Sequence, residues 1–186
     1  MTATRDRPSG RGFLIDSFGR EVRSLRVSVT DRCNLRCLYC MPSGGIAWFR
    51  KDRILTFEEI TRVTGVLASL GVREIRLTGG EPLVRADLPV LARMLSGGAG
   101  IEDLAVTTNG LLLKELAGPL LLAGVSRFNV HIDSLDQAGF AAVSRRDVLG
   151  QVLEGLLELE RLRAIPIKIN VVLVRGVNDD QIPCFV

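Results

Sequence analysis

At 186 residues, the chain is long enough for one domain with a substantial core, and its composition, 47% hydrophobic and 24% charged residues, is that of a folded soluble protein. Its net charge of +3 includes no concentrated Lys/Arg block, which argues against a nucleic-acid partner, and no apolar run forms a secretory signal or approaches the roughly 20 residues of a membrane span. The cytoplasm is the expected location, and four cysteines there favour metal binding or catalysis over a disulfide framework.

The chain begins with a polar, breaker-rich segment and continues as one predicted domain. Residues 1–12 are predicted to be disordered, and in residues 13–186 short β-branched runs alternate with longer helical stretches. Five strands are predicted at residues 25–30, 74–78, 104–108, 128–132 and 168–174. The predicted helices cover residues 57–70, 88–95, 111–122, 137–143 and 147 to about 163. Thr56 and Glu59 have the spacing of a capping box, and Asp87 and Asp147 are predicted to cap the second and last helices.

This order of elements predicts the fold class. Strands that alternate with helices imply right-handed βαβ units and a parallel sheet. Five such units in series without an evident reversal indicate an α/β protein with an incomplete parallel (β/α) barrel. A doubly wound sheet is the competing architecture.

Three of the four cysteines lie close together directly after the first predicted strand. Within residues 30–42, Cys33 and Cys37 are four residues apart and Cys37 and Cys40 three apart, so a helical winding would turn their sulfurs the same way. A structural zinc site or an electron-carrier cluster usually takes four ligands, whereas three leave one metal position open for a substrate or cofactor. The alternatives are a zinc site completed by Cys184 and unrelated core cysteines.

The second predicted strand ends in a glycine-rich turn, with the sequence Thr78-Gly79-Gly80-Glu81-Pro82. Two glycines let the backbone approach a ligand closely, and their amides can line a polar group. The spacing is that of neither a P-loop nor a dinucleotide-binding fingerprint. An ordinary turn between a strand and a helix is the alternative.

One face of every predicted strand is polar, although parallel strands buried on both sides should be continuously apolar. Arg26, Arg76 and Lys168 each supply a cation to that face, and Thr107 and Asn129 supply a hydroxyl and an amide. A barrel lumen with three fixed cations would suit an anionic substrate such as a phosphate ester. The alternative is an open sheet whose polar face is wet.

The cysteine triplet followed by Gly-Gly-Glu-Pro resembles the two hallmarks of radical S-adenosylmethionine enzymes, which share a partial barrel. In that family a [4Fe–4S] cluster binds S-adenosylmethionine at its open iron and generates a 5′-deoxyadenosyl radical, which abstracts hydrogen from the substrate. Longer blocks resemble, within that family, the GTP 3′,8-cyclases of molybdenum cofactor biosynthesis, over about residues 14–181. These blocks are residues 16–20, 25–33, 75–83, 107–110, 168–172 and 176–180.

The resemblance implies a set of residues for each ligand. One [4Fe–4S] cluster would be held by Cys33, Cys37 and Cys40. S-adenosylmethionine would contact Tyr39, Gly80 and His131. GTP would be held by Arg26, Arg76, Thr107 and Lys168. The implied enzyme is a lyase that converts GTP to 3′,8-cyclo-7,8-dihydro-GTP in the first step of molybdopterin synthesis, with flavodoxin or ferredoxin as electron donor.

The chain departs from the family pattern in two places. His131 stands where the family usually has Ser, and its larger ring could hydrogen-bond the ribose, crowd the adenosyl group or only pack. The family also continues beyond residue 186 with a further strand and a second three-cysteine cluster, so this chain is expected to be an N-terminal portion with one cluster. Its unpaired last strand would invite a partner, such as a second copy. The remaining alternatives are another radical enzyme with an anionic substrate and a non-catalytic fragment.

Overall fold

A computed structural model describes residues 12–42, 44–98 and 100–185. The segment predicted to be disordered, residues 1–12, lies outside the described residues except for Gly12. Five parallel strands form one sheet: β1 Ser24–Ser28, β2 Glu74–Thr78, β3 Asp103–Thr108, β4 Arg127–His131 and β5 Ile167–Asn170. The helices are α1 Phe57–Ser69, α2 Leu88–Ser96, α3 Leu113–Leu122, α4 Gln137–Ser144 and α5 Leu149–Arg161. Three short 3-10 segments cover Lys51–Arg53, Pro82–Val84 and Asp179–Phe185.

The order of the strands confirms the incomplete barrel. Each strand pairs in parallel with the strand before it, so the sheet runs from β1 to β5 in chain order. A doubly wound sheet would reverse direction after its first strands, and this one does not. The sheet is open, with β1 and β5 as its edges.

The apolar face of the sheet packs against the helices. In β2, Ile75 and Leu77 are buried, whereas Glu74, Arg76 and Thr78, which alternate with them, are partly exposed. Leu91 of α2, Leu113 of α3 and Val152 of α5 are fully buried in the same core. Each such side chain stabilises the fold by about 1.5–3 kcal/mol through burial. Because the helices cover one face, the polar face is left for ligands. No helix of residues 12–42, 44–98 or 100–185 is long and apolar enough to cross a membrane.

The ends of the helices follow the predictions only in part. The capping box of α1 is confirmed, because the Thr56 hydroxyl accepts from the Glu59 N–H and the Glu59 carboxylate accepts from the Thr56 N–H. The predicted cap by Asp87 is wrong, because its side chain makes no hydrogen bond to the start of α2. Its backbone is left-handed, with φ 58°, whereas a capping residue normally has an extended backbone. The predicted cap by Asp147 is also wrong, since its carboxylate accepts a hydrogen bond from Gln137 instead.

The last strand is shorter than predicted, ending at Asn170 rather than at residue 174. The Val172 N–H donates to Asp133 Oδ1 at 2.8 Å, and the Val174 N–H donates to Asn178 Oδ1 at 2.7 Å. Beyond β5, side-chain oxygens therefore accept the hydrogen bonds that the backbone carbonyls of a neighbouring strand would otherwise accept.

Candidate functional site

The strand register places the predicted ligand-binding residues in rows across the polar face. Arg26 lies beside Arg76, followed in the same row by Ala105 and Arg127. The next row toward the carboxyl ends of the strands contains Thr107, Asn129 and Lys168. His131 ends β4 one row further on. The polar face thus leads to the carboxyl edge of the sheet, where β/α barrels usually bind their ligands.

The cysteine loop, residues 30–42, follows β1 at this edge. The N–H groups of Cys40 and Met41 both donate to Cys37 O at 2.9 Å, so this part of the loop forms a tight turn. All three loop cysteines are free thiols. Burial raises the pKa of Cys33, and it raises the pKa of Cys37 to about 11, with further contributions from the other loop thiols. Cys33 and Cys37 are half-buried and Cys40 is exposed, and all three thiols lie on this one short loop.

The outer side of the cysteine loop is bonded to the end of α4. The Arg36 N–H donates to Ser144 O at 3.1 Å, and the Leu38 N–H donates to Val143 O at 2.9 Å. The last carbonyls of a helix have no partner within the helix, so these loop amides satisfy them. The loop is consequently fixed against the helical layer.

The glycine pair after β2 lies directly against the backbone of the cysteine loop. The Gly80 N–H donates to Thr30 O at 2.8 Å, and the Glu81 N–H donates to Arg32 O at 2.7 Å. A Cβ atom on Gly80 would stand 2.7 Å from the carbonyl carbon of Arg32, and one on Gly79 would overlap Thr30 O. The close approach for which the sequence predicted a ligand is therefore an approach between two backbones. Contact of Gly80 with a cofactor stays a prediction.

Glu81 joins the ends of β2 and β3 beneath the cysteine loop. Its carboxylate is 1% exposed and accepts hydrogen bonds from the Thr108 hydroxyl at 2.7 Å, the Leu83 N–H at 3.0 Å and the Asn109 N–H at 2.7 Å. Burial raises the pKa of Glu81, and these three donors oppose that rise. The carboxylate is thus a structural acceptor for three buried donors.

Replacing Glu81 by glutamine is expected to lower the free energy of unfolding by about 1–3 kcal/mol, because one amide nitrogen would face a buried donor. Denaturant unfolding at neutral pH measures this difference. Glu115→Gln, on the exposed side of α3, is the matched control and should change stability by less than about 0.5 kcal/mol. Equal losses in the two variants would contradict the assigned role.

Asn109 connects β3 to the first cysteine. Its Nδ2 donates to Asn34 Oδ1 at 2.7 Å and lies 3.8 Å from Cys33 Sγ, which also accepts from the Leu35 N–H at 3.4 Å. The Asn109 Oδ1 in turn accepts from the Leu111 N–H at 3.1 Å, which fixes the amide. Hydrogen bonds to cysteine sulfurs help set the reduction potential of iron–sulfur clusters, so this contact suits a cluster ligand.

The chemistry of these donors fits a cluster. Within the described ranges, no three His, Cys, Asp or Glu side chains are grouped closely enough to hold one metal ion. A cuboidal cluster needs a different arrangement, because each thiolate binds its own iron atom. Three free thiols on one short loop, with N–H donors to the sulfur of Cys33, suit that requirement.

Tyr39 links the cysteine loop to β4. Its hydroxyl donates to Asp133 Oδ2 at 2.6 Å and lies 2.5 Å from His131 Nε2, which is itself 2.9 Å from the same carboxylate. Burial alone would raise the pKa of Asp133, but hydrogen bonds from His131, Tyr39 and the Val172 N–H lower it. Two of the three residues predicted to contact S-adenosylmethionine, Tyr39 and His131, are thus brought together around a buried carboxylate.

The predicted GTP-binding cations lie on the polar face without acidic partners. Among the residues that the structure describes, Arg26, Arg76 and Lys168 take part in no salt bridge, whereas their neighbour Arg127 is paired with Asp103. Neighbouring cations on a sheet repel each other. An anion between Arg26 and Arg76 would remove that repulsion.

Arg76 also has a buried donor without a partner. Its Nε atom is buried and has no hydrogen-bond partner in the described part of the chain. It lines a cavity of about 160 Å³ together with Arg26, Ala105 and Arg127, and the acidic residues Glu74 and Asp103 also line this cavity. The small side chain of Ala105 leaves room between the arginines.

A larger cavity, about 490 Å³, lies beside the start of the cysteine loop and contains none of the predicted site residues.

Three site residues were given no role from the sequence, although Glu81 lies in the block 75–83 and Asn109 in the block 107–110; Asp133 lies outside the quoted blocks. Glu81, Asn109 and Asp133 all follow a strand closely, at the carboxyl edge of the sheet. Their position after a β-branched run was the available signal. Their partners lie far along the chain, so spacing alone did not reveal the contacts.

Comparison with known proteins agrees with the fold and with the motifs described above. The Radical SAM superfamily profile matches residues 27–184. A GTP 3′,8-cyclase of Peptoclostridium acidaminophilum is 47% identical over 176 residues, 95% of this chain and 54% of the relative. A GTP 3′,8-cyclase of Acidothermus cellulolyticus is 48% identical over 172 residues, covering 90% and 48%. The chain thus spans about half the length of the curated relatives it matches.

Solved structures share the fold at low sequence identity. Streptococcus suis SuiB bound to S-adenosylmethionine superposes with a TM-score of 0.64 at 18% identity, covering 82% of this chain and 33% of that one. TYW1 with a lysine-pyruvate adduct gives a TM-score of 0.61 at 16% identity, covering 85% and 58%. At such identities the likeness concerns the partial barrel alone.

Proposed function

The chain belongs to the Radical SAM superfamily, and on that basis we propose that it is the cluster- and substrate-binding barrel of a GTP 3′,8-cyclase, which begins molybdenum cofactor synthesis. Superfamily membership implies a [4Fe–4S] cluster and S-adenosylmethionine. The cyclase relatives, 44–48% identical in several organisms, support GTP as the substrate. Four free cysteines suit the reducing cytoplasm.

Cys33, Cys37 and Cys40 would hold the one cluster that this chain's cysteines can supply. Their position as free thiols on one short loop and the N–H donors to Cys33 support this assignment. S-adenosylmethionine would lie against Gly80 and beside the Tyr39–His131 pair, which faces the carboxyl edge of the sheet. When bound, the cluster and S-adenosylmethionine would supply the one-electron chemistry that removes hydrogen from the ribose of GTP.

The observation that carries the substrate proposal is a pair of neighbouring arginines that form no salt bridge within the described residues. Arg26 and Arg76 would clamp the triphosphate, since a guanidinium can donate two parallel hydrogen bonds to phosphate oxygens. Lys168, exposed in β5, would add a point charge, and Thr107 a hydroxyl. The buried, unpartnered Nε of Arg76 supports this arrangement, because a phosphate oxygen would satisfy it.

Replacing Arg76 by alanine is expected to weaken GTP binding about 10- to 100-fold, the usual loss for a hydrogen-bonded charge. Equilibrium dialysis with GTP, ATP and CTP measures affinity and nucleotide preference together. Arg93→Ala, on the exposed side of α2, is the matched control and should leave binding unchanged. A chain that prefers no nucleotide, or loses binding equally in both variants, would speak against the GTP site.

The reaction itself is tested by anaerobic reconstitution. We expect one [4Fe–4S] cluster per chain, whose reduced electron paramagnetic resonance spectrum shifts when S-adenosylmethionine is added. We also expect slow formation of 5′-deoxyadenosine. Bound zinc without iron would refute the proposed function.

A further inference from the structure

Four exposed arginines surround the outer side of the cysteine loop: Arg32 and Arg36 within the loop, and Arg145 and Arg146 directly after α4. We refer to these four as the arginine collar. They occupy two short segments that are far apart in the chain and are brought together by the fold. The chain's net charge is only +3, so the collar is a local concentration of positive charge.

The collar is attached to the cysteine loop by hydrogen bonds. Three of its side chains donate to loop carbonyls: Arg36 Nη1 to Cys33 O at 2.7 Å, Arg145 Nη1 to Met41 O at 3.2 Å and Arg146 Nη1 to Asn34 O at 2.8 Å. Arg145 reaches the loop from a left-handed backbone with φ 57°, a conformation that costs a non-glycine residue roughly 1–2 kcal/mol. The fold thus maintains this placement at an energetic cost.

The charges of the collar are not neutralised within the described residues. None of the four arginines forms a salt bridge there. The acidic residues next to the collar in sequence are engaged elsewhere: Asp31 accepts from the Phe49 N–H, and Asp147 accepts from Gln137. The collar therefore presents its charge to solvent.

The collar also marks the side from which the cysteines can be approached. A cavity of about 240 Å³, lined by Arg32, Arg36 and Trp48, reaches Cys33. The Arg36 guanidinium lies 5.4 Å from the centre of the Trp48 ring. On the barrel side, Tyr39 faces β4 and the proposed ligand site. A partner protein that must come near the cysteines while ligands fill the barrel would approach through the collar.

We propose that the arginine collar is the docking surface for an acidic one-electron carrier protein of the flavodoxin or ferredoxin class. This inference rests on the proposed function, because it requires a cluster on the cysteine loop. One electron leaves the reduced carrier and enters the cluster, and no bond is made or broken. Complementary charge speeds encounters between proteins and makes the rate sensitive to salt.

Stopped-flow reduction of the reconstituted full chain by photoreduced flavodoxin tests the proposal. Arg32→Glu and Arg146→Glu should each lower the second-order rate about tenfold at low salt. The difference should shrink as the salt concentration rises, because screening weakens the encounter. Arg146→Lys, which keeps the charge, should recover most of the rate.

Two controls separate docking from damage to the cluster. Arg62→Glu makes the same charge change on an exposed position of α1 and should leave the rate unchanged. Reduction by a small neutral deazaflavin should proceed equally in all variants, with unchanged resonance spectra. Wild-type rates in both collar variants, or an equal loss in Arg62→Glu, would overturn the docking surface alone. A chain that binds no cluster, seen by iron analysis beforehand, would overturn the proposed function and the docking with it.

Discussion

Replacing Gly80 by alanine is expected to abolish cluster binding and to lower the free energy of unfolding by about 3 kcal/mol. The new Cβ atom would stand 2.6 Å from Asp31 O and 2.7 Å from the Arg32 carbonyl carbon. Both are backbone atoms, which cannot rotate away as a flexible side chain would. The two segments would have to separate, breaking the hydrogen bonds from Gly80 to Thr30 and from Glu81 to Arg32.

Gly65→Ala provides the matched control, because Gly65 lies in the interior of α1 and an added Cβ atom there would meet nothing within 4 Å. This variant should gain about 0.5–1 kcal/mol from the better helix propensity of alanine. Denaturant unfolding measures stability, and iron content after reconstitution measures the cluster. A Gly80→Ala chain that unfolds like the wild type and fills with iron would refute the assigned backbone contact.

Replacing Cys37 by alanine is expected to reduce bound iron to background while leaving the apo fold nearly intact. Two thiolates cannot hold a cluster that needs three protein ligands, whereas the half-buried sulfur contributes only about 1 kcal/mol to packing. Iron and sulfide analysis after anaerobic reconstitution measures the first effect, and denaturant unfolding measures the second. The result differs from that for Gly80→Ala, where cluster and stability are lost together.

Cys184→Ala is the control for cysteine chemistry in general. Cys184 is an exposed free thiol in the 3-10 segment Asp179–Phe185, and none of the pKa shifts of the loop cysteines involves it. Iron binding and the resonance spectrum should stay as in the wild type. A loss of metal in Cys184→Ala would instead favour the zinc site that the sequence left as an alternative.

The fold was predictable because its signals are periodic. Alternation of β-branched runs with amphipathic stretches located all five strands and their helices. The in-phase polar positions predicted a polar face of the sheet, and Arg26 and Arg76 do occupy neighbouring positions on it. Both kinds of pattern repeat over many residues, so local exceptions do not hide them.

The predictions that were wrong, and the contacts that were not predicted, depend on single interactions between distant segments. Asp87 has the right residue type for a cap, yet its backbone is left-handed and its side chain makes no capping hydrogen bond. β5 stops early because Asp133 and Asn178 take its backbone donors. The reason for Gly80 lies in the Thr30–Arg32 backbone, about fifty residues earlier in the chain. No pattern within one segment contains such information.

The attachment of the cysteine loop has a consequence for the order of maturation. The end of α4, the glycine pair, Asn109 and Tyr39 each anchor the loop, and all of these anchors are made by polypeptide. Small zinc domains, in contrast, fold around their ion and have no structure without it. We therefore expect this chain to fold before a cluster binds, because the polypeptide itself holds the cysteine loop in place.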